Sequence, residues 1–189
     1  WLCYDPPDYA PPVSAPPSDE NGFVTFGSFN NPVKINQRVL GCWVNILTAV
    51  PNSQLVLKYN GVDWPINRDR FLSRFEEAGI ETSRIILEGR SQHADLLARY
   101  NDIDIALDTF PYAGGITTCE ALWMGVPVIT LAGDTFACRH SLSHLSNVGI
   151  PEFATFDEEN YVALAIKTAN EPDNRSELRT TLRTKVAQS

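Results

Sequence analysis

The chain has 189 residues, 43% of them hydrophobic, and a net charge of −8, a composition that supports one α/β domain with a substantial core. The excess of acid argues against a nucleic-acid or anionic-membrane partner. No apolar run reaches the length of a membrane span, and no signal peptide is visible.

Residues 1–21 hold six of the thirteen prolines. Such a stretch reads as extended chain, unable to form a regular helix or a central strand. It is expected to be a linker from a preceding part of the protein, with Trp1, Leu2 and Tyr4 available to pack on the domain that follows over residues 22–189. Met124 is the only methionine, which also leads us to expect a piece of a longer protein. Phe23 to Ser28 reads as the first strand and runs into the loop 29–35, which carries Lys34. A helix is predicted from about Asn36 to Ala49, where Val39, Leu40, Trp43, Val44 and Leu47 recur at helical spacing. The second strand is Leu55 to Tyr59. A helix follows from Arg68 to Ala78, with Gly79 as its stop. A short strand, Ile85 to Leu87, leads through the loop Glu88 to His93 into a helix with Ser91 as its expected N-cap.

The fourth strand, Ile103 to Asp108, ends in Phe110-Pro111-Tyr112-Ala113-Gly114-Gly115. Pro111 fixes its own φ, and the two glycines let backbone approach a ligand. Thr117 and Thr118 stand where a helix N-cap belongs, and the helix continues to Met124. Val128 to Leu131 is the fifth strand. Helices are expected from Phe136 to Asn147, from Asp157 to Ala169, and from near Asn174 to the end. Alternating β and α units argue for a Rossmann-like parallel sheet with helices on both faces.

In such sheets ligands bind beyond the carboxyl ends of the strands. The loops 29–35, 88–93 and 109–118 should meet there, bringing Lys34, Arg90, His93, Thr117 and Thr118 to one rim. Free N–H groups and the positive end of a helix dipole suit a phosphate at the two threonines, with a ribose near Glu120. Each residue has a plainer alternative: Lys34 and His93 in water, Arg90 paired with Glu88, the glycines serving only the turn. GxxxxGK[ST], GxGxxG and GxSxG are all absent, so P-loop, dinucleotide and serine-nucleophile readings lack their motifs. Cys3, Cys42, Cys119 and Cys138 form no CxxC pair. Free thiols in a reducing, cytoplasmic compartment are expected, and zinc is not. His140 and His144 sit at i,i+4 but lack a third ligand, so no metal site is expected.

The blocks FGSFNNPVKI, LDTFPYAGGITTCEALWMGVPVITLAG and RHSLSHLSNVGIPE resemble the C-terminal half of O-GlcNAc transferase-like proteins, including the plant SPINDLY proteins and bacterial proteins with tetratricopeptide repeats. The resemblance covers roughly residues 20–185. It implies the C-terminal lobe of a GT-B glycosyltransferase, two Rossmann-like lobes with the nucleotide sugar in the cleft between them. Helical repeats ahead of the lobes would bind the protein acceptor. Residue by residue, it implies a pyrophosphate contact at Lys34 and a neighbouring contact at Asn31, where the family has Gln. Arg90 and His93 would lie near the nucleotide base. Gly114, Gly115, Thr117 and Thr118 would form the phosphate turn. Glu120 would take the ribose, since Ala121 stands where animal enzymes have Asp.

The expected function is therefore donor binding in an inverting, metal-independent protein O-glycosyltransferase, with UDP-GlcNAc as donor, Lys34 as catalytic residue and no cofactor. Two other readings stay open: a GDP-fucose lobe of SPINDLY type, and a non-catalytic nucleotide-sugar sensor or protein-interaction module.

Overall fold

The computed structural model describes residues 4–189, so the expected packing of Trp1 and Leu2 lies outside the described residues. Six parallel strands form one sheet in the order β3-β2-β1-β4-β5-β6. They are β1 (Val24–Ser28), β2 (Ser53–Lys58), β3 (Ile85–Glu88), β4 (Ile105–Leu107), β5 (Val128–Leu131) and β6 (Ala154–Thr155). Phe26 on β1 is in register with Leu55 on one side and Ile105 on the other. Every residue of β1, β4 and β5 is buried, as expected where helices cover both faces. The chain winds outward from β1 in one direction and from β4 in the other. Right-handed crossovers therefore place the helices after these two strands on opposite faces. The switch between β1 and β4 opens a crevice at their carboxyl ends.

Helix α1 is one turn, Pro17–Asn21. It corrects the expectation that the proline-rich stretch holds no regular helix, because Pro17 occupies the first helical position, where a missing N–H costs nothing. Helix α2 (Gln37–Ala49) is capped by Asn36, whose side chain accepts from the N–H groups of Arg38 and Val39. Helix α3 (Pro65–Glu77) starts earlier than expected, again with proline at its first position. Helix α4 (His93–Arg99) has Gln92 as N-cap rather than Ser91. Helix α5 (Ile116–Trp123) begins after Gly115. The predicted helix at 136–147 divides into a 3-10 turn (Phe136–Cys138) and α6 (His140–Asn147). Helix α7 (Glu158–Ala169) is capped by Asp157 as expected. Helix α8 (Pro172–Ala187) starts two residues before Asn174.

Two polar ties hold these layers together. The Trp43 indole on α2 donates to the Tyr161 hydroxyl on α7, which donates to the backbone oxygen of Asp108 at the end of β4. On α8, the buried Arg179 guanidinium donates to the carbonyls of Tyr100, Asn101, Ile103 and Ser14, and Arg183 reaches Pro11. Residues 11–14 are thereby fastened to the domain. Asn101 also donates to the Pro12 oxygen and accepts from the Ser14 N–H.

Candidate functional site

Asp108, the first residue past β4, organises the crevice. It is 1% exposed. Its Oδ1 accepts from the N–H groups of Thr109 (2.8 Å) and Gly114 (2.7 Å) and from the Asn30 amide. Its Oδ2 accepts from the hydroxyls of Thr130 (2.7 Å) and Ser141 (2.6 Å). A buried carboxylate is tolerated only when its lone pairs are filled in this way. One side chain thus ties the end of β1, the glycine loop, β5 and α6 together. Gly114 is packed against this anchor. A Cβ there would lie 2.4 Å from Thr118 Oγ1 and 3.0 Å from Asp108 Oδ1, whereas a Cβ on Gly115 would meet nothing within 4 Å.

The loop turns at a cis Phe110-Pro111 bond and delivers Gly115 as the N-cap of α5. Thr117 and Thr118 are therefore the second and third residues of the helix, and neither side chain caps it, contrary to expectation. Gly115 displaces them because it is the last residue outside the helical turn. The N–H groups of Ile116 and Thr117 have no acceptor among the described residues. Thr118 is buried, and its hydroxyl donates inward to Ser141, whose own proton goes to Asp108. Thr117 is half-buried, 3.4 Å from Asn30 Oδ1.

Lys34 approaches from the loop after β1. Its Nζ donates to the Ala113 oxygen at 3.0 Å and lies 4.3 Å above the Tyr112 ring. Burial pulls its pKa below the ordinary lysine range, while Asp108 acts in the opposite direction. Asn31 caps the adjacent 3-10 turn by accepting from the Val33 N–H. Two hollows meet over Lys34, Tyr112, Gly115 and Ile116. One, about 650 Å³, extends toward Asn30, Asn31 and Tyr59. The other, about 560 Å³, extends to Phe136, Arg139, His140 and His144. Nε2 of each of these histidines is shielded from solvent and has no partner among the described residues.

His93 Nε2 lies 2.7 Å from Glu120 Oε1, on the side of α5 that faces α4 and outside the two hollows. Burial raises the Glu120 pKa, and His93 opposes the shift. Arg90 stands apart, exposed and without a partner among the described residues. Its alternative partner Glu88 is engaged by Arg99 and Lys58. The structure therefore brings together Asn31, Lys34, Gly115 and Thr117 around the hollows, turns Gly114 and Thr118 inward toward Asp108 and Ser141, places the His93–Glu120 pair to one side, and leaves Arg90 out.

The residues that sequence reading missed are Asp108, Ser141 and Asn30. Asp108 stands at the end of the predicted fourth strand, Ile103 to Asp108. Its place directly before a glycine loop was the available signal. Asp102-Ile103-Asp104 is a D-x-D spacing that also escaped that reading. It sits at the amino end of β4, away from the crevice. There Asp104 accepts from the N–H groups of Ser18 and Thr25, and Asp102 pairs with Arg99.

The profile of glycosyl transferase family 41 matches residues 17–189. The chain belongs to this family. The Petunia hybrida protein named probable UDP-N-acetylglucosamine–peptide N-acetylglucosaminyltransferase SPINDLY is 45% identical over 190 residues, covering all of this chain and 20% of its own length. A mutant of the Thermobaculum terrenum O-GlcNAc transferase superposes with a TM-score of 0.89 at 37% identity, over 97% of this chain and 34% of that one. Sucrose-phosphate synthase from Thermosynechococcus elongatus, 16% identical over 95% of this chain and 47% of its own, shares the fold at a TM-score of 0.68. The architecture is that of a GT-B lobe, as expected, and the chain spans about a fifth of the length of the curated relatives it matches. No helix among the described residues is long and apolar enough to cross a membrane.

Proposed function

We propose that residues 22–189 are the donor-binding lobe of an inverting protein O-glycosyltransferase that takes UDP-GlcNAc and modifies Ser or Thr. The observation that carries this reading is the placement of the Lys34 ammonium and the unpaired N–H groups of Ile116 and Thr117 over one pair of hollows. A diphosphate resting there meets a cation and a helix N-terminus. The nucleoside runs past Thr117 toward His93 and Glu120, and the sugar enters the hollow beside α6.

Inverting transfer needs the departing diphosphate to be stabilised and the acceptor hydroxyl to be held in line on the opposite face of the sugar. Lys34 and the first turn of α5 serve the first need without a divalent cation. The second belongs to a facing lobe, which the proline-rich segment 1–21 would join to this one. Helical repeats further upstream would recruit the protein acceptor, in the cytoplasm. The names of the relatives favour UDP-GlcNAc; the TTCE wording at Thr117 to Glu120 favours GDP-fucose, the second reading.

The test incubates the protein containing both lobes with each radiolabelled donor and an acceptor protein. Label should pass from UDP-GlcNAc in the presence of EDTA, and the isolated 189 residues should transfer none. Transfer from GDP-fucose alone selects the second reading. Donor binding without transfer to any protein by the two-lobe form contradicts both and leaves a sensor.

A further inference from the structure

The stretch expected to be a linker reaches into the nucleoside side of the site. Tyr9 places its hydroxyl 2.7 Å from His93 Nδ1, and the two rings meet edge to face at 5.7 Å. The other imidazole nitrogen is 2.7 Å from Glu120. A carboxylate can only accept, so Nε2 carries the proton. In the tautomer with its proton on Nε2, Nδ1 accepts from the Tyr9 hydroxyl. Both edges of His93 are thus held, and its orientation is set by residues from two sides. Tyr4 lies further along the same strap. Its hydroxyl is shut away from solvent with no partner among the described residues. Burial, then the nearby Glu120 charge, pushes its pKa up to about 12. The strap is anchored independently of Tyr9, through Arg183 to Pro11 and Arg179 to Ser14.

We infer that the proline-rich strap is a working part of the nucleoside end of the donor site, with Tyr9 as the residue that positions His93. This rests on the donor-binding reading above. The hydroxyl matters because it fixes the imidazole while leaving the faces of the ring free to meet a base. Tyr9 itself is 57% exposed, so Tyr9→Phe removes a hydrogen bond without opening the core.

The experiment titrates the intact protein, Tyr9→Phe and Lys34→Ala with UDP, GDP and inorganic pyrophosphate. Tyr9→Phe should weaken the nucleotide that binds by roughly three- to tenfold, the worth of one neutral hydrogen bond. It should leave pyrophosphate affinity and Tm unchanged, because pyrophosphate engages only Lys34 and α5. The His93 Nδ1 resonance should shift in the same variant. Nucleotide affinity equal to the parent's, or an equal loss for pyrophosphate, overturns the inference. If Lys34→Ala loses affinity while Tyr9→Phe does not, the donor-binding reading stands and only the role of the strap falls. If no nucleotide binds the parent, the reading fails and the inference fails with it.

Discussion

Glu120 on α5 is a carboxylate buried beside His93. It is 5% exposed, and burial raises its carboxyl pKa more than His93 lowers it. A carboxyl whose pKa is higher folded than unfolded binds its proton more tightly in the folded state. Its contribution to stability is therefore complete below the unfolded value and is lost as pH rises through the folded one. Near neutral pH the ionised group opposes folding. Glu120→Gln keeps an acceptor for His93 Nε2 and carries no charge. Its Tm should exceed the parent's at pH 7, and the difference should shrink as the pH is lowered through the carboxylate range. A difference that stays constant with pH, or that favours the parent at pH 7, contradicts the assignment. Under the donor-binding reading the same variant binds nucleotide more weakly, because its ribose acceptor no longer carries a charge.

The glycine loop and α5 show the same division at the scale of an element. Gly114 faces inward, where a Cβ would press on Thr118 and Asp108, and Gly115 faces the hollows, where it would not. Gly114→Ala should cost about 1–3 kcal/mol of stability through overpacking. Gly115→Ala should act mainly on nucleotide affinity. Melting curves and ligand titration of the two variants separate the effects, and the reverse pattern would refute this assignment of faces. Helices such as α2 were legible in the sequence because Val39, Leu40, Trp43 and Leu47 recur at the helical period and are buried. Strand β6 was not, since Ala154 and Thr155 are too few to display an alternation. Threonines are good N-caps in general, but here the turn ends on Gly115 and neither Thr117 nor Thr118 caps α5. The Asp108–Ser141 bond joins residues 33 apart in sequence, and no local pattern encodes such a pairing. The loops that meet around Lys34 were nevertheless predictable, because topology alone brings the ends of β1 and β4 to one crevice.

Across the whole molecule, the sheet order places Asn30, Asp108 and the start of α5 at the switch between the two halves, while α8 clamps the proline-rich strap along one side. Under the donor-binding proposal this arrangement binds a nucleoside diphosphate through Lys34 and the α5 N-terminus, without a divalent cation. Calorimetric titration with UDP and GDP in the presence of EDTA, on the parent and on Lys34→Ala, tests it most directly. The expected Kd for one of the two nucleotides lies between about 1 μM and 1 mM, roughly −8 to −4 kcal/mol. Lys34→Ala should weaken that affinity by roughly 1.5–3 kcal/mol, the range of a charge-assisted contact, at nearly constant Tm. Binding that appears only when a divalent cation is supplied, affinity unchanged in Lys34→Ala, or no binding of either nucleotide would contradict it.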